Sequence, residues 1–253
     1  MSRYVRAFWC LSSNFGDALA PWLIQKIAKK PAVFTEILEK CSKYVVTGSI
    51  LNWCDESCIA WGAGLANKTD RVNPRANICA VRGPLTREIV IQSGGTCPEV
   101  YGDPALLIPE FYSPRPAPTS RVGIIPHYVD QARAYDLSMP GKIINVIGPI
   151  ENFIDEVCSC ECIISSSLHG LIAAHAFGIP AAWIQFSDKV LGDGTKFLDH
   201  LATVGIKQDN PIKIEQIASC FDRHVETLIV SGKPTADLAK IRSGLLTACP
   251  FVT

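Results

Sequence analysis

Apolar runs of strand length alternate with helix-period segments along almost the whole chain, and nearly every run stops at a glycine or a polar residue. Strands are expected over residues 4–9, 44–47, 58–61, 77–81 and, briefly, 99–101. A helix is expected over residues 14–30, where Leu19, Leu23, Ile24 and Ile27 fall on one face and Asp17 is read as the N-cap. Pro84 opens a second helix at a position that tolerates proline. Residues 113–120 read SPRPAPTS, a stiff extended linker. The pattern then restarts, with strands expected over residues 122–126, 142–147, 162–165 and 181–186. Helices are expected over 150–160, 168–177 and 195–204 and in two further C-terminal segments. Such alternation predicts an α/β fold of parallel sheets covered on both faces by helices. With the linker it predicts two Rossmann-like domains, residues 1–114 and 115–253. Ligands in such sheets lie beyond the carboxyl ends of the strands, so the site is expected in the cleft between the halves.

Charge and composition narrow the function classes. The chain has 253 residues, 48% of them hydrophobic, with 24 Lys+Arg against 24 Asp+Glu. That excludes long-range disorder, which needs low hydrophobicity and high net charge. It argues against general nucleic-acid binding, which needs a basic excess, but leaves room for a local basic pocket. Eleven cysteines without regular spacing are not a secreted disulfide framework. Residues 1–17 hold no apolar stretch of signal-peptide length, so a cytoplasmic, reduced chain is expected. Residues 163–187 carry no formal charge and raise the membrane question. The serines at 165–167, two histidines and the break at Gly178–Pro180 make a buried strand–helix–strand the better reading.

The polar and glycine-rich motifs fall just after expected strands. They include Asn14, Gly16 and Asp17; Gly48 and Ser49; Trp61 and Gly62; Arg82; Asp103; and His127 and Tyr128. The sharpest is the loop Ser165, Ser166, Ser167, Leu168, His169, Gly170, placed between a strand and a helix. Hydroxyls and free N–H groups at a helix N-terminus suit an anion, and a histidine in the first turn suits proton transfer. The plainer alternative is that the serines cap the helix and His169 packs. Arg82 suits bidentate binding of carboxylate or phosphate, or else a surface ion pair with Glu88. Asp17 and Asp103 each follow a glycine and serve as helix caps, carboxylate bases, or both. Tyr128 lines the cleft or packs. Cys158, Cys160 and Cys162 have the wrong spacing for a zinc knuckle, so no metal is expected. No Walker A sequence is present, and Gly62-Ala63-Gly64 lacks the third glycine of a dinucleotide fingerprint.

Taken in order, these motifs resemble the polysaccharide pyruvyl transferase family. They are N-x-G-D from Asn14, G-S-I-L from Gly48, W-G-A-G from Trp61, R-G-P-L-T from Arg82, G-D-P-A-L-L-I-P from Gly102, I-P-H-Y from Ile125 and I-S-S-S-L-H-G from Ile164. The resemblance implies a fold similar to GT-B glycosyltransferases. It implies phosphoenolpyruvate as co-substrate, no separate cofactor, and a sugar or lipid-linked oligosaccharide as acceptor. The product would be a pyruvate ketal across two sugar hydroxyls, made at the inner membrane face where the acceptor is lipid-linked. Carried over by motif, His169 would move protons and Asp17 would act as base. Arg82, the loop from Ser165 through Leu168 to Gly170, and His127 would hold the donor. Asn14, Gly16, Gly48, Ser49, Trp61, Gly62, Asp103 and Tyr128 would line the acceptor side of the cleft. Many members carry arginine before the Leu-His pair, where this chain has Ser167; Lys196 and Arg87 are the candidates to supply the missing charge. Two alternatives share the architecture: a nucleotide-sugar glycosyltransferase and a non-catalytic carbohydrate-binding protein.

Overall fold

A computed structural model describes residues 3–114, 119–219 and 221–251. Its strands form two five-stranded sheets, and every recorded strand pairing is parallel. The first sheet comprises β1 (Val5–Phe8), β2 (Ala32–Phe34), β3 (Lys43–Val45), β4 (Cys58–Trp61) and β5 (Asn77–Ala80). With it go the helices α1 (Phe15–Ala28) and α2 (Pro84–Gln92). The second sheet comprises β6 (Ser120–Ile125), β7 (Lys142–Ile143), β8 (Cys160–Ser165), β9 (Ala181–Gln185) and β10 (Ile212–Lys213). Its helices are α3 (Gln131–Asp136), α4 (Ile150–Cys158), α5 (Leu168–Ala176), α6 (Thr195–Val204), α7 (Ile214–Ser219) and α8 (Phe221–Ser231), with α9 (Leu238–Thr247) closing the chain. This is the expected α/β fold of two Rossmann-like sheets, consistent with a GT-B-like arrangement.

The two sheets are wound alike. Their strand orders are β2-β1-β3-β4-β5 and β10-β9-β8-β6-β7. Each places its first strand beside its third, with the second outside the first. The direction of winding therefore reverses between β1 and β3, and again between β6 and β8. Ligands in open parallel sheets lie outside the carboxyl ends of the strands at such reversal points.

Local chemistry sets the helix ends around these points. α1 starts because the Asn14 side-chain oxygen accepts the amides of Gly16 (2.9 Å) and Asp17 (3.3 Å). Asn14 is thus the N-cap, and Asp17, expected to be the cap, sits in the first turn. The helix stops at Lys29, which adopts a left-handed conformation with φ 53°. α6 runs between Gly194 and Gly205, both at positive φ (95° and 73°), where glycine carries no Cβ penalty.

Several short elements escape the sequence pattern. β2, β10 and the polar turn of α3 are too brief to show a period. The strand expected over 142–147 ends at Ile143, after which Ile144 makes one more bond to the Ile124 carbonyl. The strand expected over 99–101 reduces to a single bridge from Val81 to Tyr101. Three C-terminal helices stand where two were expected. Within the proline-rich stretch, residues 115–118, and with them the expected domain boundary, lie outside the described residues.

One apolar cluster spans both halves. Phe15 on α1 meets Phe153 on α4 with ring centroids 4.1 Å apart. α9 crosses back to the first sheet. The Trp61 indole N–H donates to the Leu245 carbonyl (2.9 Å), and the Phe251 ring stands edge-on to Trp61 and Tyr44. Among the described residues, no helix is long and apolar enough to cross a membrane.

Candidate active site

The reversal points of the two sheets face each other. The connection after β1 carries the N-cap Asn14 and runs into Gly16 and Asp17 in the first turn of α1, and the loop after β3 carries Gly48 and Ser49. From the other half come His127, after β6, and residues 165–170, after β8. The halves touch where the His169 ring lies on Gly16. A Cβ at Gly16 would fall 2.2 Å from His169 Nδ1, so only glycine admits this approach.

His169 and Asp103 form the central pair. Asp103 is fully buried; its Oδ1 accepts the Ala105 amide (3.0 Å), while Oδ2 lies 3.6 Å from His169 Nε2. Neither of the two facing atoms has another hydrogen-bond partner among the described residues. A carboxylate so placed orients an imidazole. The opposite edge of the ring meets α1.

α5 opens at Ser167. Gly170 and Leu171 return their amides to the Ser167 carbonyl, which leaves Leu168 and His169 as first-turn amides without an intrahelical acceptor. The Ser167 hydroxyl makes no cap bond. The other two serines are engaged by the chain. Ser165 Oγ accepts the Ser167 amide (3.0 Å) and lies within bonding distance of the Ile125 and Ser167 carbonyls. Ser166 Oγ accepts the His127 amide and donates to Asp130 Oδ2, both at 2.9 Å. Asp130 also takes the Ser187 hydroxyl on its other oxygen, so one buried carboxylate ties together the ends of β6, β8 and β9.

A positive wall lies behind this pair. Arg82 is fully buried. Its guanidinium donates to Ser49 Oγ (2.9 Å) and the Leu65 carbonyl (2.6 Å), and its Nε lies 3.5 Å from Asp199 Oδ2. Asp199 also accepts the Thr86 amide (3.0 Å) and hydroxyl (2.6 Å). Burial lowers the Arg82 pKa from its ordinary value, and the charges of Asp199 and Asp103 oppose that shift. Lys196, half-buried, is pushed down to about 8 by burial and by the charge of Arg82. His127 falls to about 4, mainly through burial, with Lys196 adding and Asp130 opposing. Lys196 therefore brings its charge to bear on both the Arg82 side and the His127 side of the cleft.

A family model described as polysaccharide pyruvyl transferase matches residues 14–188. The chain belongs to that family. Among curated proteins it is similar to an uncharacterized protein of Acanthamoeba polyphaga mimivirus, 31% identical over 92% of this chain and 88% of that one. It is also similar to the succinoglycan biosynthesis protein ExoV of Rhizobium meliloti (strain 1021), 28% identical over 76% of this chain and 62% of that one. A solved Klebsiella pneumoniae protein of uncharacterized function aligns with a TM-score of 0.48 at 10% identity, covering 84% of this chain and 93% of that one.

In this pyruvyl transferase family member the motif residues divide into two groups. His169, Asp103, Gly16, Asn14, Asp17, Ser167 and His127 gather at the facing reversal points. Asp17 is partly exposed and accepts from Ser12 Oγ (2.6 Å) and from the Asn14 amide nitrogen. The Tyr128 ring lies 4.2 Å from that of His127, tilted by 35°, and is half exposed. The remaining residues turn inward. Trp61, expected in the cleft, is wholly buried against Phe251 and the Leu245 carbonyl, because α9 covers it. Gly62 (φ 83°) lets Pro104 approach, with a Cβ position 2.2 Å from the Pro104 ring, and offers no ligand surface. Leu168 packs in the core, and Gly170 makes room for Ser165 and Ile125. Gly48 (φ 97°) shapes the turn before Ser49. Arg82 and Ser49 bind each other rather than facing the cleft, so the direct donor contact expected of Arg82 is corrected to a supporting position. Arg87 points away, to the Cys97 carbonyl and Glu99. Asp130, Asp199 and His200 were missed from the sequence. The signal for the last two was a polar pair set among the apolar residues of α6.

Proposed function

We propose that this chain transfers the pyruvyl group of phosphoenolpyruvate onto two hydroxyls of a sugar, closing a ketal and releasing phosphate. The observation that carries the reading is the meeting of two sheet reversal points over the His169–Asp103 pair. The donor is a small molecule with a carboxylate and a phosphate. The open first turn of α5, the Ser167 hydroxyl and the Lys196 charge suit those anions, with Arg82 supplying field from behind.

The chemistry needs an acid, a base and anion stabilisation. His169, held by Asp103, gives a proton to the methylene carbon of the donor. Its C2 becomes electrophilic, and a sugar hydroxyl adds there, losing its proton to a carboxylate for which Asp17 is the candidate. The second hydroxyl then displaces phosphate: the bond from C2 to the bridging oxygen breaks as that oxygen takes the proton held by Asp17, the ketal ring closes, and the proton of the second hydroxyl restores His169.

The test is calorimetric binding of phosphoenolpyruvate alongside phosphate release and product mass with neutral glycosides. His169→Ala is expected to retain donor affinity and lose turnover by about a hundredfold or more. Binding of nucleotide sugars in preference to phosphoenolpyruvate would overturn the reading in favour of glycosyl transfer.

A further inference from the structure

A second hollow opens beside the serine loop. It lies between the carboxyl end of β9, the segment 209–211 that leads into β10, and the segment 187–194, and its volume is about 350 Å³, within the range of small-molecule sites. Ser166 forms one wall, which places the opening next to the loop that carries His169. The segment 187–194 reaches the other half of the molecule. Lys68 donates its amide to Asp193 Oδ2 (3.1 Å), and Gly192 packs so closely on the Ala66 carbonyl that a Cβ would come within 2.7 Å of it. The hollow therefore sits on the rim of the cleft.

Its lining has a definite chemistry. Trp183 and Phe197 lie nearly parallel, 4.5 Å apart with 7° between their planes. Trp183 is nine-tenths buried, lines the hollow, and its indole N–H meets no acceptor among the described residues. The polar lining includes Asp188, Asp193, Asp209 and Asn210, with no lysine, arginine or histidine. Asp193 is taken up by the Thr195 and Lys68 amides, and Asp188 receives Gln185. Asp209 is exposed and takes no hydrogen bond from the described residues. Among those residues the carboxylates do not gather into a metal-binding group.

Three carboxylates rim the hollow against one adjoining cation, Lys196, whose ammonium donates to the carbonyl of the lining residue Leu191 (2.6 Å), so a doubly anionic donor is disfavoured there. The hollow suits a neutral polyol, whose hydroxyls donate to carboxylates and whose apolar ring face lies against an aromatic with a free polar edge. We propose that this hollow is a subsite for a neutral hexopyranose of the acceptor, separate from the anionic donor site on the far side of Ser166. The proposal rests on the pyruvyl-transfer reading. It puts acceptor recognition on the C-terminal half, whereas all but Tyr128 of the residues expected on the acceptor side lie in the N-terminal half.

The probes are the methyl glycosides of galactose, glucose and mannose, followed by saturation-transfer NMR and calorimetry on the full chain. Phosphoenolpyruvate affinity is measured on the same preparations. At least one glycoside is expected to bind. Asp209→Lys, an exposed substitution that leaves the fold intact, should weaken it by about tenfold or more without weakening phosphoenolpyruvate. Trp183→Phe should weaken the glycoside as well, with melting temperature as a check on its packing. Glycoside affinity unchanged by Asp209→Lys, no glycoside bound at all, or competition between glycoside and phosphoenolpyruvate would each overturn the subsite. If phosphoenolpyruvate still binds in those cases, only the subsite fails. If wild type does not bind phosphoenolpyruvate, the transferase reading fails and the subsite falls with it.

Discussion

A single carboxylate faces the imidazole that the proposed reaction uses. Asp103 uses one oxygen to cap the 3-10 segment Pro104–Glu110 and turns the other toward His169. Asp103→Asn keeps an oxygen for the cap and removes the charge. Turnover should fall by about a hundredfold, at the lower end of what general acid–base groups contribute, while the Michaelis constant for phosphoenolpyruvate and the melting temperature change little. Steady-state phosphate release and a thermal melt check this together. Equal losses in turnover and melting temperature would make Asp103 merely structural. At this scale the sequence was partly legible. Polar residues placed just after strands pointed to His169 and Asp103. The same rule pointed to Arg82, whose direction is set by Asp199, 113 residues beyond the Thr86 it also holds; no local pattern carries that information. Trp61 misled for the same reason, since its lid arrives from the other end of the chain.

Between elements, α5 and α6 are joined by two buried histidines. His175 Nδ1 and His200 Nε2 lie 2.9 Å apart and share one proton. Burial holds His175 down to about 4, against an ordinary value of 6.5, and His200 well below its own. Between about pH 6.5 and pH 4 the unfolded chain binds protons that the folded pair refuses. Stability therefore falls as pH drops through that window and is insensitive to the pair above it. The urea midpoint should decline from pH 6.5 to 4, and His200→Gln should flatten the decline. A slope identical in the variant would remove the pair as its source. A second expectation concerns α1 and α5: Gly16→Ala should cut activity by displacing His169, with a smaller effect on the melting temperature. The longer helices and strands were readable because their periods repeat several times. β2, β10 and α3 were not, being fixed by partners instead of by pattern.

The molecule as a whole should unfold as one body. Its largest apolar cluster draws side chains from both sheets, so calorimetry and tryptophan fluorescence should report one coincident transition. Phe15→Ala, at the junction with Phe153, should lower stability by about 3–5 kcal/mol. Two resolved transitions would contradict that coupling. The pair of parallel sheets followed from the alternation of strand and helix patterns alone. The return of α9 did not, since nothing in the segment 238–247 names the surface it covers. That return bears on how the chain is made. Trp61 finds its carbonyl partner 184 residues later in the sequence. At ordinary rates of translation the first half emerges well before that partner exists. A nascent chain halted before residue 245 should hold an unsealed first sheet, and a ribosome-bound fragment of that length is where a chaperone would find Trp61 still accessible.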